Sequence, residues 1–185
     1  MAVSTTFGRA EPGPRAIGGR VNLRDQLLAA NRAYAGTFHS GELHVRPGRG
    51  LAILTCMDSR YTAQGVLGVE LGDAHVIRNA GGRITDDALR SLVLSAALLG
   101  TRRCVLIHHS DCGLLGRSNE ELRSRVRELS GADCAIDFLP FDDLEQSVRD
   151  DLRALRESPL FPPDYEALGF VYDVRTGILT SVEVR

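Results

Sequence analysis

Apolar positions along the 185-residue chain switch repeatedly between a period near 3.6 and short unbroken runs. Behind Asn22, the residues Leu23, Leu27, Ala30 and Tyr34 recur as one helical stripe, with Asp25 three positions after the cap. A Gly-, Pro- and His-containing loop over 38–50 leads to the run LAILTC at 51–56, which reads as a buried strand. A short helix near 62–70, a strand at 74–78 and a helix capped by Thr85 follow. Asp86 and Asp87 sit in the first turn of that helix, where the dipole favours negative charge. Leu89, Leu92, Val93, Ala96 and Leu99 are its expected inward face, and Gly100 its stop.

The remaining pattern is of the same kind. CVLIH at 104–108 is another apolar strand, and Ser118 with Glu121 starts a helix reaching about Leu129. Asp142 opens a helix with the stripe Leu144, Val148, Leu152 and Leu155. The segments 170–174 and 178–184, joined at Thr176-Gly177, read as a closing hairpin. Strands separated by helices predict an α/β fold: a mainly parallel β-sheet flanked by helices, with a C-terminal hairpin. Residues 1–20, rich in Gly, Pro and Arg without periodicity, are expected to be a flexible arm, and 21–185 a single domain.

Composition narrows the class. Apolar residues at 43% and charged residues at 25% are ordinary for a soluble globular chain, and a net charge of −2 gives no footprint for nucleic acid. No apolar stretch approaches the roughly 20 residues that span a bilayer, and no apolar signal segment opens the chain, so a cytoplasmic location is expected. In a reducing compartment, cysteines beside His and Asp suit metal binding or catalysis better than disulfides.

The chemistry gathers where apolar strands end. In parallel sheets ligands bind beyond the carboxyl ends of the strands. The first strand ends in Cys56, followed at alternate positions by Asp58 and Arg60; CVLIH runs into His109, Ser110, Asp111 and Cys112. If the two strands are neighbours, Cys56, His109 and Cys112 converge. Two thiolates and one imidazole suit Zn²⁺, and three protein donors leave a fourth position open for water that can ionise near neutral pH. Asp58 can fill that position itself unless the guanidinium of Arg60 holds it in a two-pronged pair. His108, last in its strand, should face the other way. Cys104 reads as core, Cys134 as a loop thiol, and His39, His44 and His75 as surface or loop residues. Asp111 could cap its turn, bond a neighbouring ligand or face solvent. The absence of C-x-x-C disfavours a thiol redox protein.

At these positions the chain resembles the β-class carbonic anhydrases. The motif C-x-D-x-R is met by residues 56–60, H-x-x-C by residues 109–112, and VIRNAGG at 76–82 is similar to the pocket-lining loop of that family. The resemblance implies one zinc on Cys56, His109 and Cys112, reversible hydration of CO₂ to bicarbonate, and an Asp58–Arg60 dyad. It implies that Asp58 ligates zinc in a closed state, and that the chain forms a homodimer or homotetramer in which the N-terminal helix embraces the partner. Arg78 and Asn79 are expected to brace the pocket, Gly81 and Gly82 to let backbone approach the substrate, and Val66, Leu67 and Leu71 to line it. Ser110 and Asp111 depart from the small or aromatic residues that many members carry between the ligands. The chain looks closer to a compact branch found in actinobacteria and archaea, similar to hydrolases of carbon disulfide or carbonyl sulfide. That similarity keeps a sulfur-substituted substrate open, and a permanently closed, regulatory zinc site is a further alternative.

Overall fold

The computed structural model describes residues 22–184, in two compact units, one ending at Gly41 and the other beginning at Glu42. The expected arm at 1–20 lies outside the described residues. Helix α1, Leu23–Ala35, starts where the side chain of Asn22 accepts the amide of Arg24. None of its residues is buried, so the predicted stripe of Leu23, Leu27, Ala30 and Tyr34 is exposed.

From Glu42 onward the chain builds one five-stranded sheet. Strands β1 (Leu51–Cys56), β2 (Ala74–Asn79), β3 (Arg103–His109), β4 (Glu166–Tyr172) and β5 (Leu179–Val182) lie in the order β2-β1-β3-β4-β5. The first four are mutually parallel, and β5 returns antiparallel to β4 as the expected hairpin. The predicted strand at 170–174 starts earlier, because Glu166 already pairs with Arg103.

Between the strands, α2 (Ala63–Leu67) is shorter than predicted: Gly68 caps it in the left-handed conformation, φ 59°. Helix α3 (Asp86–Ala97) has Thr85 as its cap, as expected, but its buried line is Ala88, Leu92 and Ser95. Leu89, Val93, Ala96 and Leu99 are only half-buried, so the helix is rolled by about one residue from the predicted face. Helices α4 (Asn119–Ser130) and α5 (Leu144–Glu157) follow, the latter capped by Asp143 rather than by Asp142.

Strand alternation sorts the core into two layers. Ala52, Leu54, Cys104 and Leu106 pack with Ala88 and Leu92 of α3 and with Val148, Leu152 and Leu155 of α5 on one face. Ile53, Val105 and Ile107 pack with Ala63 and Leu67 of α2 on the other. The connection after β1 therefore leaves over one face and the return to β4 over the opposite face. The carboxyl ends of β1 and β3 border the resulting crevice, the place where open α/β sheets bind ligands.

Candidate metal centre

Cys56 is the last residue of β1, and His109 the last of β3. With Cys112 they form a buried group whose donor atoms all lie within 4.8 Å of one another. The Ser110 carbonyl lies 2.9 Å from Nδ1 of His109, and a carbonyl only accepts, so Nδ1 carries the proton. That leaves Nε2 with its lone pair: buried, and with no hydrogen-bond partner. An orphaned imidazole nitrogen between two thiols is what a tetrahedral N/S ion such as Zn²⁺ requires, and the donor set fits.

The electrostatics of the metal-free group follow from its crowding. The Cys112 thiol bonds to Cys56 and outweighs burial, lowering the Cys56 pKa to about 4, with His109 and the backbone amides of Asp58 and Gly81 adding to the effect. The same contact, with burial, pushes Cys112 up. Burial works against the charged form of His109, yet the contact with Cys56 and the Ser110 carbonyl leave its pKa raised.

Asp58 and Arg60 close upon each other. Arg60 Nε donates to both oxygens of Asp58 at 3.0 and 3.1 Å, Nη2 to Oδ2 at 2.7 Å, and the Arg60 amide to Oδ1 at 2.8 Å. These bonds hold the carboxyl at a pKa of about 2. Asp58 Oδ2 nevertheless stands only 3.9 Å from His109 Nε2, within reach of the metal group. Asp111 bonds no metal donor; its side chain is more than half exposed, and its carboxylate accepts Arg60 Nη1 at 2.6 Å.

The loop after β1 is braced from β2. Arg78 donates to the carbonyls of Cys56 at 2.8 Å, of Tyr61 at 3.2 Å and of Asp58. Asn79 spans the turn after β2, its amide donating to the Arg83 carbonyl at 2.7 Å. Gly82 is placed differently from the expectation that it approaches substrate. A side chain there would meet Ile107 O at 2.9 Å and Cys56 N at 3.0 Å, so this glycine lets β1, β3 and the Ala80–Gly82 turn converge on the protein's own backbone. Val66 lines a cavity of about 210 Å³ with Arg60, Tyr61, Gly65 and Tyr172. Leu67 instead turns into the core against the Ile53 layer, and Leu71 is exposed beyond the short helix, so neither lines that cavity.

Several contributors escape a motif search. Thr55 donates to Ile107 O at 3.0 Å, so its oxygen accepts the Tyr61 hydroxyl at 2.7 Å. The Tyr61 ring in turn lies 5.5 Å from His109 and 4.8 Å from Tyr172. The hairpin pins the ligand loop, with Ser110 donating its amide to Tyr172 O and accepting that of Val174. His108 faces the other way, as alternation predicts. It meets Ser147 Oγ at 2.7 Å through Nδ1 and lies 3.2 Å from Asp151, which also takes Arg83 Nε at 2.8 Å. A polar residue inside LAILTC, and Ser147 and Asp151 on the apolar stripe of α5, were the available signals.

The chain is similar to known proteins. A family model described as carbonic anhydrase matches residues 51–129. Beta-carbonic anhydrase 1 of Mycobacterium tuberculosis is 38% identical over 162 residues, 88% of this chain and 99% of its own length. A carbon disulfide hydrolase from Acidianus is 35% identical over 69% of this chain and 74% of its own. The crystal structure of a carbonic anhydrase from Streptococcus mutans superposes with a TM-score of 0.84 at 44% identity, covering 88% of this chain and 99% of that one.

Proposed function

This chain belongs to the β-class carbonic anhydrases, and from that membership we propose that it catalyses the zinc-dependent, reversible hydration of carbon dioxide to bicarbonate and a proton. The observation that carries the reading is the buried Cys56, His109 and Cys112 group, with a free His109 Nε2 beside an Asp58 held by Arg60. Zinc held by these three residues supplies the Lewis acidity that makes water a nucleophile near neutral pH. The protein groups do the rest.

Cys56, His109 and Cys112 would hold the ion through three donors, a set that suits a catalytic rather than a structural zinc site. Asp58, ionised throughout the neutral range, would accept a hydrogen bond from a water bound there and orient it toward the substrate. Arg60 holds the Asp58 carboxylate in a two-pronged pair, and would so keep it from a metal held by the three donors. Arg78 and Asn79 brace the loops that carry these groups. Carbon dioxide is small and neutral, so it needs no charged anchor; Val66 and the Tyr61 and Tyr172 rings supply apolar surface in the cavity that Arg60 also lines.

The test is stopped-flow CO₂ hydration by zinc-loaded protein from neutral to mildly alkaline pH. We expect a rate far above buffer that rises with pH and is lost, together with zinc, in Cys112→Ser. No rate with zinc still bound would overturn the reading. Sulfide release from carbon disulfide or carbonyl sulfide would then assign the second substrate class, which the Acidianus relative supports. Neither product would leave a closed, regulatory site.

Homodimeric or homotetrameric assembly belongs to the same proposal, supported by the exposed Leu23, Leu27 and Tyr34 of α1. A monomer in light scattering would count against it. A cytoplasmic location is supported by four cysteines that are all free; no helix among the described residues is long and apolar enough to cross a membrane.

A further inference from the structure

The Arg60 guanidinium has two usable edges, and only one faces Asp58. Its Nε–Nη2 edge takes the Asp58 carboxylate. The other end is taken by one residue, Asp111, through two different groups: Nη1 donates to Asp111 Oδ2 at 2.6 Å and Nη2 to the Asp111 carbonyl at 2.9 Å. Asp111 sits between His109 and Cys112 with φ at 56°, a backbone region that Asp and Asn tolerate better than most side chains. That conformation presents its carbonyl and its carboxylate to the same guanidinium. Arg60 thus ties the loop bearing Cys56 and Asp58 to the loop bearing His109 and Cys112.

We infer that Asp111 is a positioning residue of the metal site: by holding the far end of Arg60 it turns the Nε–Nη2 edge toward Asp58, and so sets how often Asp58 is kept off the metal. The inference rests on the anhydrase reading for the identity of the metal. The geometry separates two roles that charge alone would blur. A second carboxylate competing for the same edge would free Asp58; one on the opposite end fixes the plane of the guanidinium and holds the fork in place. Loss of the Asp111 carboxylate therefore shifts the site toward Asp58 ligation. Arg60 and Asp111 are both partly exposed, so the effect is a modest bias rather than an all-or-none switch.

Cobalt(II) substitution reads this without turnover, because visible absorption distinguishes a site with four protein donors from one with three and water. Asp58→Ala supplies the reference for the site that cannot close. Asp111→Asn keeps the left-handed backbone and removes the charge; Asp111→Gly keeps the backbone and removes the whole side chain. At fixed pH we expect the closed-to-open ratio to rise about two- to fivefold in Asp111→Asn, the range an exposed ion pair supports, and further in Asp111→Gly. In an Arg60→Ala background, adding Asp111→Asn should change nothing.

Spectra of both Asp111 variants that coincide with wild type would overturn the inference, as would an Asp111 effect that persists without Arg60. Failure of the anhydrase reading is separate: it would appear as metal-loaded wild type without CO₂ hydration, while the spectra would still report on Asp58.

Discussion

Gly82 is the residue with the least latitude in the site. Its φ of 72° already disfavours a side chain, and a Cβ would strike the backbone of two strands, which cannot swing aside as a rotamer can. Gly82→Ala should cost about 2–4 kcal/mol in urea unfolding and weaken zinc retention, because Cys56 N is among the atoms displaced. Gly81→Ala, whose close neighbour is a flexible Leu114 methyl, should cost less, about 1–2 kcal/mol. Arg60→Ala should retain zinc while turnover falls, as Asp58 is released to the fourth position; metal analysis beside CO₂ hydration checks this, and wild-type turnover would remove Arg60 from the mechanism. The Asp58 carboxyl has a folded pKa of about 2, below its ordinary value of 3.8. The pair's contribution is therefore complete above the ordinary value and lost only as pH falls toward 2. Carboxyl NMR of the metal-free protein should show no Asp58 titration above pH ~4.

Among the elements, α5 is bound to the sheet by polarity as well as by packing. Asp151, almost fully buried, takes Arg83 at 2.8 and 3.2 Å and lies beside His108, while Ser147 one turn earlier meets His108 directly. Burial pushes the Asp151 carboxyl up, but His108 and Arg83 outweigh it and leave its pKa lowered. Asp151→Asn strands a buried guanidinium and should cost about 3–5 kcal/mol near neutral pH. The cost should shrink as acid protonates the wild-type carboxylate, since a depressed folded pKa contributes its full stability above the unfolded value and loses it as pH falls through the folded one. Denaturant melts of both proteins at two pH values test this. Local pattern made nearly every strand and helix legible: LAILTC and the Thr85 cap match the structure residue for residue. The roll of α3 was not legible, because Ser95 is buried by bonds to His75 and Thr101 that no periodicity records. The Arg83–Asp151 pair escaped too: its members lie 68 positions apart and carry no shared motif. Cys56, His109 and Cys112 could be picked out because strand ends converge in parallel sheets; that Leu67 packs into the Ile53 layer and Leu71 falls beyond the short α2 was not legible, because the apolar pattern does not show where that helix stops.

For the whole molecule, metal and protons compete. Cys112 has a raised pKa in the metal-free protein, so near neutral pH its thiol holds a proton that zinc must displace. Calorimetric titration in buffers of different ionisation enthalpy should show at least one proton released per zinc, with apparent affinity falling as pH falls. Chelation should lower the melting temperature, since the same ion ties the ends of β1 and β3.

That tie also bears on how the chain finds its fold. Arg60 and Asp111 are brought together across 51 positions, and β2 and α3 form within that interval. Of the three donors, an unfolded chain holds only His109 and Cys112 close together; Cys56 joins them when β1 docks beside β3. Full capture of the ion therefore serves as a clock for assembly of the centre of the sheet, and an ion taken up early would wait on the His109–Cys112 turn for Cys56 to arrive.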